Sequence, residues 1–240
     1  MDDIKQKVEN LILDIQQGKI PPEKAWDEIK KLKESYVQEY SEQSWHVYIG
    51  NKFQYVIYSI LKGYFNRLKS KNPEFKSLDV FTEGEVKRNE IIQRKLAVKY
   101  GEYLLLPDTD MAIVDYNFTE PWKSEILAII SCKTSLRERI AQACYWKLKL
   151  LSSDVTKNIH VFLATTDNDE DFFIKMTPRR RLYAGKHRNR IIAEYELDGI
   201  YILREDFRKD WESDKVKRYE AIFDDLVRIF KNIHSVSHDN

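Results

Sequence analysis

Two short apolar runs, "MAIV" at 111–114 and "EILAIISCK" at 125–133, flank a turn containing Asn117 and Pro121. Runs of this length, rich in β-branched residues and bounded by turn formers, read as strands. They must be covered by other elements, and the rest of the chain supplies helices. Ile4, Val8, Leu11, Ile12 and Ile15 recur at helical spacing, and "PPEKAWDEIKKLKESYV" restarts a helix with proline at its opening. In "SWHVYIGNKFQYVIYSILKGYFNRLK", Phe53, Val56, Ile57, Ile60, Leu61, Tyr64, Phe65 and Leu68 form one apolar stripe. "KNPEFKSLD" reads as a loop, a helix is predicted from about Glu85 to Tyr100, and the strand-like "YLLLPDTDMAIVDY" follows. After "EILAIISCK" come a helix over 136–151, strands in "IHVFLATTD" and "DGIYILR", and a closing helix near 212–232. Strands with helices on both sides in sequence predict an α/β fold, a mixed central β-sheet flanked by helices with an N-terminal helical segment. Residues 1–40 are read as that segment and 41–240 as the main domain.

Composition excludes several classes. With 240 residues, 42% of them hydrophobic, the chain can bury a sizeable core. No window approaches the roughly 18 uncharged apolar residues of a membrane span, and the acidic, amphipathic start does not resemble a secretory signal, so a cytoplasmic protein with no membrane partner is expected. Cys132 and Cys144 lie in core-like segments and read as buried thiols, not as a zinc site. The 40 Lys and Arg against 39 Asp and Glu give a net charge of +1, which neither announces nor excludes an anionic partner.

The chemistry sits on the two central strands. Asp108 and Asp110 precede "MAIV" and Lys133 ends the next run, so a hairpin between the runs sets carboxylate and ammonium side by side at one sheet edge. A hard Mg²⁺ ion takes carboxylate and carbonyl oxygens, which Asp110 and the main-chain carbonyl of Cys132 can supply. Alternation places Ser131 and Lys133 on one face and turns Cys132 into packing. From there Lys133 can orient an attacking water or neutralise charge on a scissile phosphate. Taken singly, Asp-x-Asp before a strand is turn chemistry and a lysine at a strand end is solvated. It is their order and apolar framing that lift the pair.

"PDTDMAIV" followed by "ILAIISCK" resembles the PD-(D/E)xK nuclease core, and "SCKTSLRER" resembles the branch of type II restriction endonucleases that recognises CCGG-type sites. Members of that branch carry serine in place of the second acid, a catalytic lysine two residues on, and an Arg-(Asp/Glu)-Arg triplet beyond. Ser131, Lys133, Arg137, Glu138 and Arg139 fit that order. "SWHVYIGNKFQYVI" is similar to the helix that delivers a glutamate toward the metal. The likeness spans residues 44–165 in outline and implies a restriction-endonuclease-like core. Two departures stand out: Gln54 and Gln142 occupy the positions where glutamates are expected, which leaves Asp110 the main anion, with Asp108, Glu83, Glu85 and Glu90 as alternative sources of a further carboxylate.

The resemblance implies a Mg²⁺-dependent endonuclease acting on double-stranded DNA as a homodimer, with Asp110, Lys133, Ser131, Gln54 and Gln142 catalytic and Asp110, Asp108 and the Cys132 carbonyl toward the metal. Arg137, Glu138 and Arg139, on a helix start capped by Thr134 or Ser135, suit neighbouring G·C pairs, because arginine donates to guanine and a carboxylate accepts from cytosine. "PRRRLYAGKHRNR" concentrates Arg179, Arg180, Arg181, Lys186, His187, Arg188 and Arg190, read as a DNA-backbone contact rather than a solvated loop. The acidic "TTDNDEDFF" lacks the glycine and terminal glutamate of a calcium loop. A non-catalytic DNA-binding protein of the same fold and a repair nuclease are the competing readings, the first favoured by Gln54 and Gln142.

Overall fold

The structure, a computed structural model, describes residues 2–136 and 139–236. Its centre is a six-stranded mixed sheet. In sequence the elements are helices α1 (Asp2–Gln16), α2 (Pro22–Lys31), α3 (Lys33–Glu39) and α4 (Glu42–Lys71), strand β1 (Leu78–Thr82), helices α5 (Glu83–Arg88) and α6 (Glu90–Leu96), and strands β2 (Val98–Tyr100), β3 (Tyr103–Leu105), β4 (Met111–Asp115) and β5 (Glu125–Lys133). Helix α7 (Arg139–Leu151), strand β6 (His160–Thr165), helix α8 (Arg188–Glu196), strands β7 (Gly199–Ile202) and β8 (Val216–Arg218), and helix α9 (Ala221–Val236) complete them. The sheet order is β1-β4-β5-β6-β7-β8, with β2 and β3 forming a separate hairpin. The β1/β4 and β4/β5 pairs are antiparallel and the remaining pairs parallel.

Helices cover both faces because both faces of the strands are apolar. One core gathers Val8, Trp26, Phe53, Ile57 and Phe65 from α1, α2 and α4 and Ile222 and Phe230 from α9 against Ile113, Ile130, Cys132 and Phe162. The other packs Val86, Ile92, Ile140 and Ala193 from α5 to α8 against Ala112, Val114, Ile129, Leu163 and Ile200. A register shift at Ile113/Val114 leaves Leu127 as the extra residue of β5, and Leu127 faces the same core as its neighbour Ala128.

Several expectations from sequence are corrected. "KNPEFKSLD" does not stay a loop: β1 starts at Leu78, and its Asp79 is held by Lys62 and Lys69 of α4 at 2.6 and 3.2 Å. The single helix predicted over 85–100 breaks at Asn89, whose extended backbone ends α5 and whose side chain caps α6. The run 103–116 is two strands, not one, and α9 begins at Ala221 after the short strand β8. Helix α8 (Arg188–Glu196), which the sequence reading did not anticipate, takes in the end of the basic run. No helix among the described residues is long and apolar enough to cross a membrane.

Helices α1 and α2 bury side chains in the same core as α4, Trp26 at 5.0 Å from Phe53. Trp26→Ala should therefore cost about 3–5 kcal/mol and move one cooperative transition followed by circular dichroism and fluorescence; two separate transitions would mark the N-terminal helices as an independent unit.

Candidate active site

The antiparallel β4–β5 ladder assembles the site. Met111 pairs with Ile130, and the Asp110 N–H still donates to the Ile130 carbonyl at 3.1 Å, so Asp110 sits one step beyond β4 beside the last residues of β5. Its carboxylate accepts from three groups: the Cys132 N–H at 2.6 Å, Lys133 Nζ at 3.2 Å and Gln54 Nε2 of α4 at 2.6 Å. Asp110 and Lys133 side chains are only 10% and 12% exposed. Burial pushes the Asp110 carboxyl above its ordinary value, while the Lys133 ammonium and the Cys132 N–H draw it back. The structure thus brings Asp110, Lys133 and Gln54 together. Gln142, one turn into α7, donates to Asp108 Oδ2 at 2.5 Å, closing the opposite flank. Ser131 is buried on β5.

A cleft of about 540 Å³ opens here, lined by Gln54, Asn51 and His46 of α4 and by Lys133, Ser135 and Arg139. Burial drives the Cys132 thiol well up, which leaves its main chain, not its sulfur, to serve the site. In a strand the N–H and C=O of one residue point the same way, so the Cys132 carbonyl also faces Asp110. Among the described residues no three His, Cys, Asp or Glu side chains form a ready metal cage. Of the alternative carboxylates, Glu85 closes a capping box with Thr82, while Glu83 pairs with Lys87 and Glu90 with Arg94 at the exposed surface.

Arg137 and Glu138 lie outside the described residues. Arg139 is exposed at the start of α7, its N–H on the Leu136 carbonyl at 2.6 Å. The Ser135 hydroxyl donates to Asp169 Oδ2 at 2.5 Å, and the Leu136 N–H donates to the same oxygen at 2.8 Å.

The basic segment divides. Arg179, Arg181 and Arg188 are exposed, and Arg179, Arg180, Lys186, His187 and Arg188 line a second cavity of about 660 Å³. Arg180 reaches the Phe173 carbonyl at 3.1 Å and Lys186 reaches Glu194 at 2.6 Å. Arg190 is a correction: it is fully buried, paired with Glu194 at 3.1 Å and donating to the carbonyls of Phe172 and Trp211, so it is unavailable to DNA. The signal for that lay in the Glu four residues on.

The acidic loop after β6 is a connector that sequence reasoning missed. Asp167, fully buried with φ +47°, accepts from the N–H groups of Asp171 and Phe172 at 2.8 and 3.0 Å. Asp171 in turn holds Asn189 at 2.8 Å and His187 at 2.8 Å.

The family is shown by comparison with known proteins. The model of the BsaWI restriction endonuclease type 2 family matches residues 86–225. The putative type II restriction enzyme MjaVIP of Methanocaldococcus jannaschii is 41% identical over 192 residues, covering 80% of this chain and 79% of that protein. The probable type II restriction enzyme HpyAORF263P of Helicobacter pylori is 46% identical over 96 residues, 40% of this chain and 46% of that protein. A solved structure described as a restriction endonuclease PspGI–substrate DNA complex aligns over 95% of this chain and 93% of its own with a TM-score of 0.44 at 13% identity. The family model and the relatives place the chain among type II restriction endonucleases. The chain belongs to the BsaWI restriction endonuclease family.

Burial pushes the Asp167 carboxyl up to about 7 from 3.8 despite its two backbone donors. A carboxyl raised on folding stabilises the folded state at low pH and loses that contribution as pH rises through about 7. The stability of the protein relative to its Asp167→Asn variant should fall between pH 5 and pH 8, measured by urea unfolding at each pH.

Proposed function

We propose that the protein is a Mg²⁺-dependent deoxyribonuclease that cuts duplex DNA at a short, G/C-containing, palindromic site, acting as a homodimer in the cytoplasm. The observation that carries this reading is the desolvated Asp110–Lys133 pair at the end of the β4–β5 hairpin. Asp110, the Cys132 carbonyl and Asp108 offer hard oxygens suited to Mg²⁺, with water and DNA phosphate completing the shell. When bound, such an ion polarises the phosphoryl oxygen and lowers the pKa of a water.

The residues of this chain do the rest. Lys133, placed 3.2 Å from Asp110, directs its remaining N–H groups toward the cleft, where they orient the attacking water and balance charge building on the phosphate. Water oxygen bonds to phosphorus as the bond to the 3′ oxygen breaks, leaving 3′-hydroxyl and 5′-phosphate ends. Gln54 and Gln142 hold the two aspartates in place through their amides and can turn their carbonyl oxygens inward. Ser131 fills the position of the second acid. Arg137, Glu138 and Arg139 read G·C pairs, and Arg179, Arg180, Arg181, Lys186 and Arg188 grip phosphates. A second reading, a DNA-binding protein that has lost catalysis, is favoured by the two glutamines alone.

The test is incubation with a large unmethylated plasmid and Mg²⁺. Discrete bands are expected from the wild type, none from Asp110→Ala, and a rate lower by on the order of 10²–10³ from Lys133→Ala; retarded but uncut DNA with the wild type would establish the binder instead. The basic segment is checked by salt titration of DNA binding. Replacing Arg179, Arg181 and Arg188 by alanine should reduce the slope of log K against log salt by about 3, whereas Arg190→Ala should leave the slope and cost about 3–5 kcal/mol of stability.

A further inference from the structure

The loop over 166–171 touches both ends of the region assigned to DNA. On one side, Thr166 Oγ1 and the Asn168 N–H donate to the Thr134 carbonyl at 3.2 and 3.1 Å, and one oxygen of Asp169 takes both the Ser135 hydroxyl and the Leu136 N–H. Thr134 follows Lys133 directly, and the Leu136 carbonyl accepts the N–H of Arg139, at the start of α7. On the other side, Asp171 holds His187 and Asn189 at the start of α8, and the Arg190 guanidinium is bonded to the Phe172 carbonyl.

The loop is itself stiff. Asp167 closes it through the N–H groups of Asp171 and Phe172, its own N–H donates to Thr165 Oγ1 at 2.9 Å, and Arg204 clamps its carbonyl at 2.8 Å. Asp167 and Glu170 both accept left-handed backbone, with φ of +47° and +54°. Such conformations persist where the surroundings over-determine them.

We propose that Asp169 is a positioning residue for cleavage: by holding Ser135 and Leu136 on one carboxylate oxygen, it fixes the start of α7, with Arg139 and Gln142, relative to Lys133. This rests on the endonuclease reading above. Asp169 is exposed, so its two bonds add little to overall stability, while a small displacement of groups at a reacting centre can cost up to about 10²-fold in rate. Because both donors meet the same oxygen, an asparagine amide oxygen can replace it without the charge.

The experiment compares wild type, Asp169→Ala and Asp169→Asn in single-turnover cleavage of plasmid DNA at saturating enzyme. Hydrogen exchange at the Leu136 amide and DNA affinity without divalent ions are measured in parallel. Asp169→Ala is expected to cleave at least tenfold more slowly, with faster exchange at Leu136, DNA affinity within about twofold, and a melting temperature within a few degrees of wild type. Asp169→Asn should restore both rate and protection. Wild-type cleavage by Asp169→Ala, or equal loss in the alanine and asparagine variants, would overturn the proposal, the latter showing that charge and not geometry matters. Failure of the wild type to cut would instead remove the endonuclease reading, and with it this role, whatever Leu136 shows.

Discussion

The pairing of Asp110 with Lys133 depends on the register of two antiparallel strands, and much else in the molecule serves that register. A slip of one residue turns every side chain of a strand to the other face. Here a slip is resisted on both sides, since Met111, Ile113, Ile130 and Cys132 face one core while Ala112, Val114 and Ile129 face the other. The extra residue Leu127 absorbs a local mismatch farther along the ladder, leaving Met111 opposite Ile130 and the two charged side chains within reach across the end. The 30-residue helix α4 crosses this end and contributes the amide of Gln54, so the long apolar stripe and the polar site are parts of one element.

A buried ion pair contributes little to stability once the cost of desolvating both charges is counted. Asp110 is therefore better understood as a buried carboxylate satisfied by protein donors than as a source of stability. Three donors, two from β5 and one from α4, satisfy it, and Gln142 satisfies Asp108 from the far side. The amides of Gln54 and Gln142 donate to Asp110 and Asp108 respectively and add no charge beside them.

The central strands, the α4 stripe and the juxtaposition of Asp110 with Lys133 were legible because they follow from local pattern: apolar runs, a turn, and residues at run ends; Gln54 was placed beside them only through the family resemblance. What escaped notice depends on partners distant in sequence. β1 is five residues long and carries Asp79, a poor strand former on its own, whose charge is met by Lys62 and Lys69 from the preceding helix. The break at Asn89 competes with an otherwise helical pattern through a side-chain cap. Asp169 looked like one more acid in a polar loop, and only the tertiary fold sets it against Ser135 and Leu136.

The basic segment shows how a dense run of cations is made to hold a shape. Like charges in a loop repel, so presenting some of them outward requires that others be anchored. Glu194 is the anchor: it takes Arg190, Lys186 and the Ser213 hydroxyl, and although burial pushes its carboxyl up, these partners hold it below its ordinary value. Arg190 spends its remaining donors on the Phe172 and Trp211 carbonyls, tying α8 to the acidic loop and to the segment before β8. Arg179, Arg181 and Arg188 are left exposed on this frame. Acids turned inward and arginines divided between frame and surface explain how a chain with a net charge of +1 can still carry a locally cationic face.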